Sequence, residues 1–204
     1  MISNSELRAR ARVTLGSGVF KNEWLYAMLI SVAVSLINGA LSATGIGVIL
    51  VSGLIMSGTA NYFLGRVRGT VNHDSLGAIL DGATKDLGGN IITGILQTVF
   101  IALWTMLFFI PGIVKSCSYA LAFYIKNDNP YMSANDAITE SRRMMDGFKM
   151  KYFMLRLSFI GWYIIGILCL GIGTFWVSAY EETAIAHFYE EVKLAKAPFF
   201  NVVH

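Results

Sequence analysis

IITGILQTVFIALWTMLFFIPGIVKSCSYALAFYI, residues Ile91 to Ile125, carries a single charge, at Lys115, and a single proline, at Pro111. As one continuous helix it would reach roughly 52 Å at about 1.5 Å per residue, against a hydrocarbon core of about 30 Å. The stretch must therefore bend or reverse. Pro111 has no amide proton and clashes with a preceding helical turn, while Gly112 accepts backbone angles that other residues avoid. The pair predicts a tight turn between two membrane helices, 91–110 and 112–125.

The rest of the chain has the composition of a membrane protein. Of 204 residues, 55% are hydrophobic and only 14% are charged, and the mean hydropathy is +0.57. A soluble domain of ordinary composition is far more polar. Cys117 and Cys169 lie inside apolar runs, where cysteine acts as a small hydrophobe, and no paired spacing suggests zinc or a disulfide framework.

Apolar runs predict four further spans, at 24–42, 46–64, 152–170 and 174–192, with Trp24 and Tyr26 suited to the headgroup level. The expected fold is all-α: a single integral membrane domain of six helices in three hairpins. Turns are expected at Thr44-Gly45, Pro111-Gly112 and Gly171-Ile172-Gly173. Amphipathic stretches at 3–15, 75–87 and 133–146 read as interfacial helices, with Asp74 or Ser75 capping the second and Ser133 with Asp136 the third. Small residues recur every fourth position in the first two spans, at Ser31, Ser35 and Gly39 and at Gly53, Ser57 and Asn61. Backbones approach closely along such seams in lipid, so these two spans are expected to pack on each other.

Orientation follows from the lysines and arginines. All but two of the sixteen fall in the N-terminal segment, around Arg66 to Lys85, between Lys126 and Lys151, or in the tail at Lys193 and Lys196. The three expected turns hold none. Cytoplasmic loops attract these residues, so both termini are expected in the cytoplasm. A single crossing over 91–125 would instead send Arg142, Arg143, Lys149 and Lys151 outside.

Ionisable groups inside spans are costly and mark candidate sites. Lys115 either snorkels to the headgroups or partners Glu181 or Glu182. Those adjacent glutamates diverge by about 100° around the helix, so one is expected to point into the bundle. Thr174, Ser178, Glu182, Ala186 and Glu190 form a stripe with Ala179, Thr183, His187 and Glu191 beside it, favouring buried packing over a conducting path. Arg156 either snorkels or pairs with Glu190 or Glu191. His187 sits beside those carboxylates but lacks a second histidine, and no metal or other cofactor is expected. No nucleophile elbow, phosphate loop or facing pair of aspartates appears, and the basic patches read as lipid contacts rather than a nucleic-acid groove.

Pro111 to Lys115 with Tyr119, Asp128-Asn129-Pro130, Ala137 and Ser141 with Met145 and Gly147, Phe159 to Trp162, Gly171 to Gly173, and Thr183 with Phe188 to Glu190 form an ordered set of spaced motifs. In these the chain resembles the small bacterial integral membrane proteins grouped as domain of unknown function 975. That resemblance covers mainly the second half and implies an architecture in the bacterial plasma membrane without supplying an activity. Family members usually carry proline where this chain has Ala179, so a kink of the last helix is not implied here. The functional expectation is non-enzymatic handling of a small molecule, lipid or peptide in the bilayer, transporter-like or protective. The alternative is a scaffold that recruits a partner through its amphipathic helices. Membrane lipids are the expected partners; nothing indicates an oligomeric state.

Overall fold

The computed structural model describes residues 2–16, 22–42, 46–72, 77–107, 109–168 and 171–200. The turn expected at Thr44-Gly45, the cap at Asp74 or Ser75, and Cys169 lie outside them. Among the described residues the chain is all-α, without strands: α1 (Asn4–Leu15), α2 (Asn22–Ser42), α3 (Ile46–Arg68), α4 (Gly77–Thr84), α5 (Leu87–Leu107), α6 (Phe109–Tyr119), α7 (Ala122–Asp128), α8 (Ala134–Met144), α9 (Lys149–Leu168) and α10 (Gly173–Phe200). Among the described residues, two helices contain segments long and apolar enough to cross a membrane, Leu87–Thr105 in α5 and Lys149–Leu168 in α9; Trp24–Ile37 in α2 is a shorter apolar run. On α9, Ile160, Ile164, Ile165 and Ile167 are all at least half exposed. Water would make such a surface unfavourable, whereas lipid would not.

The contacts divide the chain into two compact units: Met1–Ile37 with Phe63–Leu76 and Lys151–His204, and Asn38–Tyr62 with Gly77–Met150. In the first unit α1 lies against α10. Its start is set by the Ser3 side chain, which accepts from the Glu6 amide, and its end by Gly16 at φ 89°. The stripe Leu7, Ala11 and Leu15 is buried, Arg10 pairs with Glu191 at 2.9 Å, and the Tyr180 hydroxyl donates to the Arg8 carbonyl at 3.0 Å. The apolar face of α1 is thus covered inside the protein. α10 itself runs 28 residues, well past the expected end at 192, and passes unbroken through Ala179.

The second unit is organised by the hairpin of α5 and α6. α5 ends at Leu107 and α6 begins at Phe109, so Pro111 and Gly112, expected to form the turn, lie in the first turn of α6. Amides there have no helical acceptor, so proline costs nothing. Gly112 serves close approach: a Cβ would lie 2.4 Å from Thr105 Oγ1 and 2.8 Å from Thr105 Cα.

The expected fourth span is also broken. α6 has only 11 residues, about 16 Å, and the chain turns at Ala120-Leu121 before α7 begins. Gln97 of α5 donates to the Tyr119 carbonyl at 3.4 Å, and Lys126 of α7 pairs with Asp86 just before α5. α6 and α7 together therefore run antiparallel to α5. At the break, the Leu121 amide donates to Ser141 Oγ at 3.2 Å, and the Ser141 hydroxyl donates to the Ser118 carbonyl at 2.8 Å.

Ser141 belongs to α8, capped by Ser133, whose oxygen accepts from the Asp136 amide at 3.1 Å. Gly147 at φ 83° reverses the chain soon after it ends. The face Ala134, Ala137, Ile138, Ser141 and Met145 is buried, with Ile138 packed beside Tyr119 and Ala122 against Leu96, Phe100 and Ile101 in the middle of α5. The apolar face of α8 is thus covered by its own chain. The broken helix opens a groove, and α8 fills it.

Ser141→Ala removes one donor and one acceptor at once. It is expected to cost about 2 kcal/mol, because two buried backbone groups lose their partner. Denaturant titration in detergent reads this directly, and unchanged stability would contradict the patching role.

Candidate functional site

α9 and α10 form a hairpin closed by Gly171 at φ 78°. Within it, Glu181 of α10 is 5% exposed. Arg156 Nε donates to its Oε1 at 2.7 Å, and the Tyr163 hydroxyl donates to its Oε2 at 2.7 Å. Arg156 and Tyr163 are seven residues apart on α9, two helical turns, and so share a face. The carboxylate is enclosed, whereas the Arg156 side chain is 55% exposed. One anion with both oxygens engaged thus stands behind one cation open on its outer side.

The pairing differs from both sequence expectations. Arg156 meets Glu181 and not Glu190 or Glu191, which are taken by Arg68 at 2.6 Å and Arg10 at 2.9 Å. Register explains this: Gly166 lies against Gly173 and Thr174, so Arg156, further from the turn on α9, is level with a part of α10 nearer to Glu181 than to Glu190 or Glu191. The Lys115 ammonium lies 4.4 Å from the centre of the Trp104 ring across the α5–α6 hairpin. A cation over an indole face is an electrostatic contact that needs no carboxylate. His187 Nε2 is 2.9 Å from Thr14 Oγ1. Glu182 is partly buried. No group of three or more histidines, cysteines, aspartates or glutamates able to hold a metal occurs among the described residues. Tyr163 was missed by sequence reasoning; its place seven residues after Arg156 was the available signal.

The small-residue seams also find other partners. A Cβ on Gly53 would lie 2.1 Å from the Asn90 carbonyl, and one on Gly94 would lie 2.7 Å from Gly53 Cα, so α3 crosses α5 here. Ser57 and Asn61 donate to the Gly82 and Ala78 carbonyls of α4, at 2.8 and 2.7 Å. Gly39 has nothing within 4 Å of an added Cβ, and Ser31 and Ser35 donate to carbonyls of their own helix. Among the described residues, the α3 seam at Gly53, Ser57 and Asn61 meets α4 and α5. Small size permits close approach to any backbone, and the polar side chains select helix ends that offer carbonyls.

A second charged pair was not anticipated. Lys126, 2% exposed, donates to Asp86 and to the Pro130 and Met132 carbonyls, so its three protons have three acceptors. Asp86 also accepts from the Gly89 amide at 2.9 Å. The Lys126 hydrogen bond, then that of Gly89, hold the Asp86 carboxyl below its ordinary range.

An all-helical chain with charges paired inside and large apolar side chains outside defines a class of helical-hairpin proteins with segments suited to a membrane. Within that class, this chain belongs to the family described as protein of unknown function DUF975, whose model matches residues 84–196. No curated protein and no solved structure matches the chain.

A carboxyl with a depressed pKa contributes stability above its unfolded value, near 3.9, and loses it as pH falls through the lower folded value. Asp86→Asn is accordingly expected to lower stability by about 2 kcal/mol at neutral pH. The gap should close as pH drops below about 4. Stability curves of the two proteins against pH measure this, and a gap constant through acid would contradict an ionised pair.

Proposed function

We propose that this protein is a multi-pass component of the bacterial plasma membrane, with six spans in three hairpins and both termini in the cytoplasm. It handles a small molecule, lipid or peptide within the bilayer and catalyses no reaction. The clustering of lysine and arginine away from the expected turns supports the topology. The exposed isoleucines of α9 support the lipid setting.

The observation that carries the functional reading is the Glu181–Arg156–Tyr163 cluster. Charged residues inside a span are costly and are retained where they serve a pathway or a ligand. Arg156 offers a half-exposed guanidinium to an anionic group while Glu181 balances its charge. Such a pair can exchange an internal partner for an external one, which is what a transporter-like or protective factor requires.

The scaffold reading stands second. It drew on the amphipathic helices, but the apolar faces of α1 and α8 are buried against their own chain. A recruited partner would have to be met by their polar faces.

The test is reconstitution into vesicles followed by leakage of ions, lipid probes and peptides. Glu181→Gln is expected to change any flux about tenfold or more, since a hydrogen bond to a charged group is worth roughly 1.5–3 kcal/mol. No flux in any of these assays would overturn the transport reading.

A further inference from the structure

The C-terminal end of α4 is surrounded by amide and hydroxyl side chains whose oxygens outnumber the available protons. Asn90 Nδ2 spends its two protons on the Gly82 and Ala83 carbonyls, at 3.1 and 3.2 Å. Asn127 Nδ2 spends its two on the Ser57 and Phe123 carbonyls, at 2.9 and 3.0 Å. Ser57 has one hydroxyl proton and two acceptors in reach, the Gly82 carbonyl at 2.8 Å and Asn127 Oδ1 at 3.3 Å. With that proton on Gly82, the shorter contact, Asn127 Oδ1 faces a hydroxyl oxygen with no hydrogen between them. Asn90 Oδ1 is buried and has no hydrogen-bond partner, and Asn90 is 2% exposed.

Buried oxygens without donors are unfavourable unless something positive or donating meets them. Gly82 and Ala83 add to the demand, because they lie in the last turn of α4, where carbonyls carry the negative end of the helix dipole. The charged pair of the same unit, Lys126 and Asp86, carries no net charge. The oxygens involved are all neutral, a donor set that suits hard cations of low charge rather than zinc or its relatives.

We propose that Asn90, Asn127, Ser57 and the Gly82 carbonyl form a buried binding site for a monovalent alkali cation at the end of α4. The ion supplies the positive charge that the proton count lacks and ties α3, α4, α5 and α7 together. This site is separate from the Glu181 cluster and stands independently of the transport reading.

The experiment is thermal unfolding of the purified full-length protein in detergent, followed by tryptophan fluorescence, in lithium, sodium, potassium or choline chloride at equal ionic strength. A bound ion raises the melting temperature with the logarithm of its concentration. The expected result is a rise of several degrees in at least one alkali chloride over choline chloride, lost in Asn90→Ala. Should Asn90→Ala fail to fold, Ser57→Ala removes one of the proposed ligand oxygens while keeping both asparagine amides in place, and should likewise abolish the alkali-specific rise. Equal melting in all four salts, as expected if the site holds only water, would overturn the proposal. So would an alkali-specific rise that Asn90→Ala or Ser57→Ala retains.

Discussion

A carboxylate buried in an apolar hairpin must be matched where it stands, and the α9–α10 hairpin depends on how Glu181 meets that demand. Arg156 and Tyr163 occupy its two oxygens from a single face of α9. Their separation of two helical turns sets the register of the two helices, because a slip of one residue would take both donors out of reach. Breaking such a pair by removing one side costs far more than the pair contributes net, since it strands a buried charge. Around it, the Tyr180 ring packs against Phe159 at 5.0 Å and Trp24 at 5.9 Å, and α1 encloses α10 further along.

The second unit meets the same demand with neutral groups. A chain that interrupts a helix inside an apolar setting exposes amides and carbonyls that lipid cannot satisfy. Here Ser141 satisfies one of each at the break between α6 and α7, and α8 is held in the groove as a result. Ser57 and Asn90 do the same for the end of α4, and Lys126 for the turn after α7.

How much of this was legible in the residues depends on what each signal measures. Hydropathy located α5 and α9 to within a few residues, and the length of Ile91 to Ile125 required the reversal found next to Pro111. The capping pair Ser133 and Asp136 and the stop at Gly147 were readable because caps are local. Partners were not readable. A stripe such as Leu7, Ala11 and Leu15, or Ala137, Ile138 and Ser141, says that a face avoids water. It does not say whether lipid or another helix covers it, since the two are equally apolar. The seam of Gly53, Ser57 and Asn61 failed similarly: small residues permit contact without naming the contact. The break at Ala120-Leu121 had no local signal at all, because the serine that makes it tolerable lies twenty residues further on.

The account stands on the outward face of α9 being in lipid while its inward face holds a charge pair. Spin labels placed singly from Phe153 to Leu168, in a background without Cys117 and Cys169, can be tested for collision with oxygen and with a water-soluble nickel complex in reconstituted vesicles. Labels at Ile160, Ile164 and Ile167 are expected to collide with oxygen and to be shielded from nickel, with a helical period that dips at Phe159 and Gly166. Nickel access along that outward face equal to that of a helix in water would contradict the account.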